Sequence, residues 1–599
     1  MKRLTAVILA IAILISVAAC DFNGGKNQTP KPENTPEVTV APTSEIKTEA
    51  DKAFEELDRE VFVDIVTGDG LSYHQFVIDP ASFDIDESEI ERGWGDFSYS
   101  AQLEGVEENK KLLERLKGIN AEDLNESNRI AYEMLLSTLE RGSEAVESFY
   151  YDEPLLPLNG EHSMLPMMMT FYEIYDEDDI ENYLFLLHDA SRYLGQIEQF
   201  EREKAERGLL MTENALDKVL ESCRKYVEEG ESFFLIGYFD ELMENLPFDL
   251  DETKKTEYTD RNRKTIISEL LPAYESLIAT LEGLRDSCGA FVGASSRSDA
   301  AKEQFIKDVQ SQGAWSADIE TIASALKNIC NEEYLAMFGV IYTNPSIMND
   351  YNKKITSGNP EDDVEYLKRA IENIYPEIPE QEITYVDVPE SVAEDFSPAA
   401  YLISAFDDPS RNVVMFNPTA DSSTLLFTIA HECYPGHLYQ TQYFRAMDGL
   451  SLTQQAIAPT GYTEGWAVFS ETQNASLFTE YGASLCKVKQ IESVLCNILI
   501  PAYLSTMVNV NGWGKEDMKS YLEKYNLNVD EYVDIIYEYA VDMPTYFFNY
   551  ALGYTCTKAV YDAAAPSTDE EKLEFFTKYL NYGPCSFDIL FEKFGVESR

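Results

Sequence analysis

Apolar residues recur at steps of three and four positions along most of the chain. The clearest stretches are residues 109–142 and 179–208, and residues 254–291 and 318–339 repeat the pattern. Because this spacing puts apolar side chains on one face of a helix, it predicts a body that is mainly α-helical. Residues 149–169 interrupt the pattern with three prolines and are predicted to be irregular.

The periodicity changes in the second half of the chain, just before another helical stretch. ITYVDV (383–388) and AAYLISAF (399–406) are rich in β-branched and aromatic residues, and VVMFN (413–417) follows the turn sequence DDPSRN. These runs predict a small antiparallel β hairpin. Helical periodicity resumes at residues 421–432 and continues, with breaks, to the C-terminus.

The first twenty residues have the pattern of an export signal. Lys2 and Arg3 precede an apolar run from Leu4 to about Val17, which is too short for a comfortable transmembrane helix. The segment ends in Val-Ala-Ala-Cys, which resembles a bacterial lipobox and predicts that Cys20 is lipidated. The alternative is a plain signal peptide in which the cysteine is fortuitous.

The segment that follows the signal is too polar to form a core. Residues 21–47 are rich in Pro, Thr, Asn and Glu and contain few large apolar residues. Such a composition predicts a disordered tether. Residues 48–599 are then one helical domain, which works outside the cytoplasm and is anchored to the membrane by lipid.

Composition limits the choice of partners. The chain has 599 residues, with 47 Lys and Arg against 107 Asp and Glu, and a formal charge of −60. So acidic a surface repels nucleic acid and attracts cations and basic peptides, although its role could also be solubility alone. The eight cysteines after Cys20 are scattered without a CxxC pair, so neither a disulfide nor a cysteine metal cluster is predicted.

The sequence HECYPGH, residues 431–437, contains two of the five histidines of the chain. A His-Glu pair on a helix is typical of zinc peptidases, where the histidine binds metal and the glutamate acts as general base. Here the second histidine follows six positions after the first. On a straight helix His437 would lie about 120° away from His431, so the two could not hold one ion.

The residues between the two histidines change this expectation. Pro435 has no N–H and its ring clashes with the carbonyl of His431, while Gly436 permits unusual backbone angles. The pair therefore predicts a distorted helix that returns His437 to the side of His431. Cys433 is a further possible ligand, but its helical position opposes that role.

A third ligand is needed, because catalytic zinc keeps three protein ligands and one open position. TEGWAVFSE, residues 463–471, places Glu464 and Glu471 on one helix face, so that one could bind metal and the other could orient a ligand histidine. The alternative is a solvated stripe. The neighbouring Gly465 and Trp466 favour a helix packed closely against another element.

Together HECYPGH and TEGWAVFSE resemble the HExxPGH and EGWAxYxE motifs of the bacterial family called domain of unknown function 885. The resemblance runs from about residue 50 to 595 and implies a large helical metallopeptidase body of the gluzincin or neurolysin type, next to the small hairpin. It implies that His431, His437 and Glu464 bind zinc and that Glu432 is the general base. Glu471 would contact a ligand histidine and orient it without binding the metal.

The same resemblance suggests further parts of the site. Tyr550, in FFNYALGY, is the candidate donor to an oxyanion, with a core tyrosine as the alternative. The family often has an Arg-Tyr pair before this stretch, whereas YEYAVDMPTY has no arginine. Strand 413–417 is a hypothetical docking edge for an extended peptide. His188 is predicted to be structural, and His162 is a weak candidate for substrate contact.

Three functions are compatible with these residues. The first is a zinc peptidase that is lipid-anchored outside the cytoplasm. The second is a lipoprotein that binds a peptide or another solute without catalysis, although such a protein has no need of Glu432 beside a histidine. The third is a zinc hydrolase of non-peptide amides or esters, which would use the same metal chemistry.

Overall fold

The structure is a computed structural model that describes residues 47–596 except 87, 89, 389–396 and 421. The described chain is mainly helical, as the apolar periodicity predicts. The predicted signal peptide, Cys20 and nearly all of the tether lie outside the described residues.

Twenty-five α-helices are described, numbered here in chain order. The first ten are α1 Glu49–Val66, α2 Gly70–Phe76, α3 Tyr99–Lys117, α4 Glu126–Ser148, α5 Glu161–Met168, α6 Glu177–Glu206, α7 Glu213–Glu229, α8 Phe234–Glu244, α9 Glu252–Thr265 and α10 Leu271–Leu284. The next eight are α11 Ala294–Arg297, α12 Asp299–Gln312, α13 Ile319–Thr343, α14 Pro360–Ile371, α15 Leu425–Glu432, α16 His437–Arg445, α17 Leu452–Ala456 and α18 Thr460–Asn474. The last seven are α19 Ala483–Val494, α20 Ile500–Asn511, α21 Lys515–Leu522, α22 Asp530–Asp542, α23 Phe548–Ala564, α24 Asp569–Asn581 and α25 Phe587–Phe594.

Helix α5 corrects the prediction that residues 149–169 are irregular. Pro166 lies inside this helix, where it cannot donate to the carbonyl of His162. The hydroxyl of Tyr274 donates to that carbonyl instead, at 2.6 Å. A tertiary partner therefore satisfies the group that the proline leaves free, and a short helix survives.

The predicted hairpin is part of a three-stranded mixed sheet. Strands β2, Ala399–Leu402, and β3, Asn412–Phe416, pair antiparallel as predicted, but β1, Ile383–Asp387, pairs parallel to β3. The strand order is β1-β3-β2. Because β3 is paired on both sides, it has no free edge, and the hypothesis that residues 413–417 dock a peptide by strand addition is wrong.

Helices α18 and α23 pack with their backbones almost in contact. A Cβ on Gly465 of α18 would lie 2.4 Å from the Cα of Gly553 in α23, and a Cβ on Gly553 would lie 2.1 Å from the carbonyl oxygen of Gly461. Only glycine permits this approach. The close packing predicted for Gly465 is confirmed, and it fixes the helix that carries Glu464 against the helix that carries Tyr550.

Among the described residues, one helical run is long and apolar enough to cross a membrane. It covers Ala483–Asn511, with a mean hydropathy of 1.5 in its most apolar window, and 72% of that window is buried inside the protein. A core helix passes the same test of length and composition, so this run does not by itself indicate a membrane span.

Candidate metal centre

The helix that carries the His-Glu pair is interrupted between the two histidines. Helix α15 ends at Glu432 and α16 begins at His437, and the four residues between them, Cys433–Gly436, form a buried connector. The amide of Cys433 still bonds to Ile429 at 2.8 Å, which closes the last turn of α15. The predicted distortion is confirmed as a full break, because the chain starts a new helix at the second histidine.

Gly436 lets the connector fold back onto α15. A Cβ at this position would lie 1.6 Å from the carbonyl oxygen of His431 and 2.6 Å from that of Ala430. No larger residue fits there without moving the backbone. The connector is therefore as compact as the chain allows, which brings the start of α16 next to the end of α15.

The three predicted metal ligands meet at one point. The Nε2 atoms of His431 and His437 are 3.1 Å apart, and they lie 3.3 and 3.5 Å from Oε2 of Glu464. Ligands at about 2.1 Å from a tetrahedral ion are separated by about 3.4 Å, so the triangle has the size that zinc requires. Among the described residues this is the one group of three or more His, Cys, Asp or Glu ligands that lies this close together.

The surroundings of the triangle also fit a cation. Oε2 of Glu464 is buried, and no donor among the described residues reaches it in hydrogen-bonding geometry. A buried carboxylate oxygen without a well-formed hydrogen bond is costly unless a cation compensates it. Two imidazoles and one carboxylate are a typical donor set for catalytic zinc. The residues present therefore fit the ion.

Glu432 lies beside this triangle and is 5% exposed. Its Oε2 accepts a hydrogen bond of 3.0 Å from the backbone amide of Tyr401 in β2. The amide of Asn417 donates to the carbonyl of Pro398 at 3.0 Å, and from there the antiparallel alternation gives residues 400 and 402 the bonds to β3. The amide of Tyr401 therefore points away from β3, toward α15. The small sheet thus holds the predicted general base in one orientation.

Glu471 lies on the far side of the His431 ring from the triangle. Its Oε1 is 3.7 Å from Nδ1 of His431, while Nε2 of the same ring faces Glu464. The two glutamates of α18 therefore contact the two nitrogens of one imidazole. This arrangement is typical of a carboxylate that orients a metal-binding histidine.

Charges within the cluster shift the pKa values of its members. Burial raises the pKa of Glu464, but the charge of His437 and the contacts with both imidazoles outweigh it and bring the pKa to about 2. Burial lowers the pKa of His431, but the contacts with Glu464 and Glu471 outweigh it and raise the pKa well above its usual value. Both shifts therefore favour an ionised Glu464 next to a protonated His431.

Tyr550 lies in α23, one turn before Gly553. Burial raises the pKa of its phenol well above the usual value, and the charges of Glu464 and Glu432 add to the effect. The pKa of Tyr546, which precedes α23, is also raised, by burial first and then by Tyr539 and the charge of Glu464. Both phenols keep their protons beside the cluster, so the predicted donor Tyr550 has a neighbour that the sequence did not single out.

The other candidate residues lie elsewhere. His162 is fully buried and its Nε2 is 3.1 Å from Oγ of Ser222, and burial lowers its pKa to about 4. His188 is exposed and pairs with Glu269. Cys433 is buried in the connector and is not a member of the ligand triangle. Neither His162 nor His188 contacts the three ligands through any described hydrogen bond or ion pair.

Two contacts that shape the site could not be anticipated from the motifs. One is the bond from the Tyr401 amide to Glu432, and the other joins the indole of Trp466 to the carbonyl of Pro435 at 2.8 Å. The prediction of β structure just before α15 was the one available signal for the first. Trp466 follows Glu464 by two positions, which marks it as a neighbour of the site but does not reveal its partner.

The fold and the cluster define a mainly helical protein in which a partly buried His-His-Glu cluster joins an interrupted helix to α18. The family described as "Bacterial protein of unknown function (DUF885)" matches residues 84–593, and the chain belongs to this family. No curated protein matches the chain.

Two solved structures share the fold. A crystal structure described as "putative lipoprotein" from Colwellia psychrerythraea is 15% identical, with a TM-score of 0.78 over 92% of this chain and 99% of that one. A second, described as a "putative lipoprotein of unknown function" from Shewanella oneidensis, is 14% identical, with a TM-score of 0.59 over 90% of this chain and 99% of that one. At this identity the similarity shows the fold alone.

Proposed function

We propose that this protein is a zinc-dependent peptidase of the gluzincin type. The observation that carries the proposal is the triangle of His431, His437 and Glu464, whose ligand atoms are 3.1–3.5 Å apart, with a buried carboxylate oxygen that no donor of the described residues reaches in hydrogen-bonding geometry. The peptide substrate rests on the resemblance of the two motifs to helical metallopeptidases.

The protein side chains have separate roles in this proposal. Zinc, when bound, supplies a Lewis acid that polarises a carbonyl group and acidifies water. Glu432, held by the Tyr401 amide, accepts the proton of the attacking water and delivers it to the leaving nitrogen. Tyr550 keeps its phenolic proton and donates a hydrogen bond to the oxygen on which negative charge develops.

Glu471 and the backbone hold this arrangement in place. The carboxylate of Glu471 faces Nδ1 of His431, which leaves Nε2 for the metal. His431, Glu432 and Glu471 are buried, so their charges act in a medium of lower polarity than water, while His437 and Glu464 are only partly buried.

We also propose that the protein acts outside the cytoplasm while a lipid on Cys20 holds it to the membrane. The support is the lipobox-like end of residues 1–20 and the description of two proteins of the same fold as "putative lipoprotein". Membrane fractionation of the wild type and of Cys20→Ala tests this part. The variant is expected to leave the membrane fraction.

The test of activity compares the wild type with Glu432→Gln on a library of peptides with mixed sequences. The wild type is expected to cleave peptides, and the variant is expected to lose activity about 100- to 10,000-fold while it retains the metal. Equal activity of the two proteins would remove Glu432 from the mechanism. Cleavage of amides or esters by a wild type that leaves every peptide intact would point to the non-peptide hydrolase.

A further inference from the structure

The connector between the two histidines is held by a side chain from the helix of the third ligand. The indole N–H of Trp466, in α18, donates to the carbonyl of Pro435 at 2.8 Å, and both residues are buried. The connector carbonyls of Cys433 and Gly436 accept amides of α16 at 3.0 Å. Trp466 therefore provides the bond that ties the connector to α18.

Aromatic rings on several elements fix the direction of this indole. The ring of Tyr439 in α16 lies parallel to it at 6.5 Å, and Tyr375 lies edge-on at 5.9 Å. From α24, Tyr579 stacks at 5.5 Å and Phe576 lies edge-on at 5.8 Å. Trp466 is fully buried among them, so its N–H has little freedom to turn away from Pro435.

The bond connects the two parts of the metal centre whose relative position matters most. His431 and His437 lie at the two ends of the connector, and Glu464 lies two residues before Trp466 on α18. A shift of the connector along α18 would change the distances from both imidazoles to Glu464, which are 3.3 and 3.5 Å. Inside α15 and α16 the backbone bonds cannot prevent such a shift, because they do not involve α18.

We infer that Trp466 is a positioning residue for the metal. Its hydrogen bond to Pro435 fixes the position of the connector along α18, so that both histidines and Glu464 reach one ion. The inference rests on the proposed zinc site and adds a residue that contacts none of the reacting atoms. It predicts that loss of this one donor weakens metal binding although the ligands themselves are intact.

The experiment measures the zinc affinity of the wild type and of Trp466→Phe by competition with a chromophoric chelator. Phenylalanine keeps an aromatic ring and removes the N–H, so the affinity is expected to fall about 10- to 100-fold, as for other partners that orient metal ligands. The visible absorption of the cobalt-substituted proteins is recorded as well. A change of its shape in the variant is expected, because it reports ligand geometry rather than folding.

Trp94→Phe is the matched control. Trp94 also donates its indole N–H to a backbone carbonyl, that of Leu186, at 2.8 Å, and no described hydrogen bond or ring contact joins it to the elements of the metal centre. Its loss is expected to leave zinc affinity and the cobalt spectrum unchanged. If Trp466→Phe does not fold, 3-benzothienylalanine at position 466 replaces it, because sulfur takes the place of the N–H in a ring system of nearly the same shape.

The outcomes separate this inference from the proposed function. A wild type that binds zinc together with a Trp466 variant of equal affinity and an unchanged cobalt spectrum would overturn the positioning role and leave the zinc site standing. A wild type that binds no zinc would overturn both. An equal loss of affinity in the Trp94 and Trp466 variants would also overturn the inference, since it would show a general effect on stability.

Discussion

Two clusters of charged side chains, each built around a buried residue, differ in the source of their positive charge. The metal-centre cluster consists of His431, His437 and Glu464. The second, called here the lysine cluster, surrounds Lys204 of α6, which is fully buried. Lys204 donates to the carbonyl of Asp152 at 2.8 Å, pairs with Glu153, and lies 3.9 Å from Glu201.

The lysine cluster therefore contains its own cation. Its acidic groups are spread around a fixed ammonium, and Arg297 adds a second positive charge 3.2 Å from Glu153. In the metal-centre cluster, by contrast, no described Lys or Arg pairs with Glu464, and the positive partners are two imidazoles. Imidazole is neutral when it binds a metal. The proposed zinc site therefore assigns an external cation to the metal-centre cluster, whereas the lysine cluster carries its own.

Gly436→Ala should have the largest effect, and only on the metal-centre cluster. The added methyl group would meet the His431 carbonyl at 1.6 Å, so the connector must move and carry His437 away. We expect loss of zinc binding in titrations and a decrease of at least about 4 kcal/mol in the free energy of unfolding.

Gly339→Ala is the control for this change. Gly339 lies in α13, and nothing lies within 4 Å of a Cβ placed on it. The free energy of unfolding of this variant should rise by about 0.5–1 kcal/mol, because alanine is favoured over glycine inside a helix. Zinc binding by Gly436→Ala at the affinity of the wild type would contradict the role given to the compact connector.

Lys204→Met tests the lysine cluster in the opposite direction. It leaves the buried carboxyl group of Glu201 without its ammonium partner, whereas Glu153 keeps Arg297, and we expect the free energy of unfolding in urea to fall by about 3–4 kcal/mol. Zinc affinity of the folded variant should equal that of the wild type. A joint loss of zinc and stability would show that the two clusters are coupled.

Tyr550→Phe should reduce the rate of peptide cleavage about 100- to 1,000-fold without loss of zinc, because it removes one donor to the developing oxyanion. Tyr554→Phe is the matched control on the same helix, since the Tyr554 hydroxyl donates to Glu333 at 2.8 Å and not to the site. Steady-state kinetics with zinc-saturated proteins compare the two. Equal rates for wild type and Tyr550→Phe would show that Tyr550 is a core tyrosine with no part in the reaction.

The smallest expected effect is the pH dependence of stability that comes from the lysine cluster. Burial raises the pKa of Glu201 to about 7, although Lys204 opposes the shift. Because a raised pKa means that the folded state holds the proton more tightly, this contribution is complete below the unfolded pKa of about 4.5 and is lost as the pH rises through about 7.

Urea midpoints at pH 5.5 and pH 8 measure this effect. The free energy of unfolding of the wild type should fall by about 1–2 kcal/mol between the two pH values. That of Glu201→Gln, whose side chain cannot ionise, should fall by less. An equal loss in both proteins would assign the pH dependence to other carboxyl groups, such as Glu161, whose pKa burial also raises to about 7.

Much of the fold and of the ligand triangle could be predicted because the signals are local. Helical periodicity predicted α3, α4, α6 and α13. The proline and glycine of HECYPGH predicted the distortion that the structure shows as a break between α15 and α16. Two glutamates seven apart share a helix face, which predicted one of them as a ligand, and the resemblance of TEGWAVFSE to the family motif selected Glu464.

The remaining features depend on partners far away in the sequence. The parallel pairing of β1 with β3 joins residues 383 and 412, and no local pattern specifies it. The helix α5 survives its proline because Tyr274 satisfies the freed carbonyl. The bond from Trp466 to Pro435 likewise exists only after α16, α18 and α24 have packed together.

The most direct test of the central claim is the zinc content of the purified protein. The wild type and His431→Ala are dialysed against equal free zinc, and bound metal is measured by elemental analysis. The account predicts about one zinc per wild-type chain and almost none in His431→Ala, because the variant loses one of three ligands. A wild type without zinc at this stoichiometry, or a His431→Ala protein that retains it, would contradict the account.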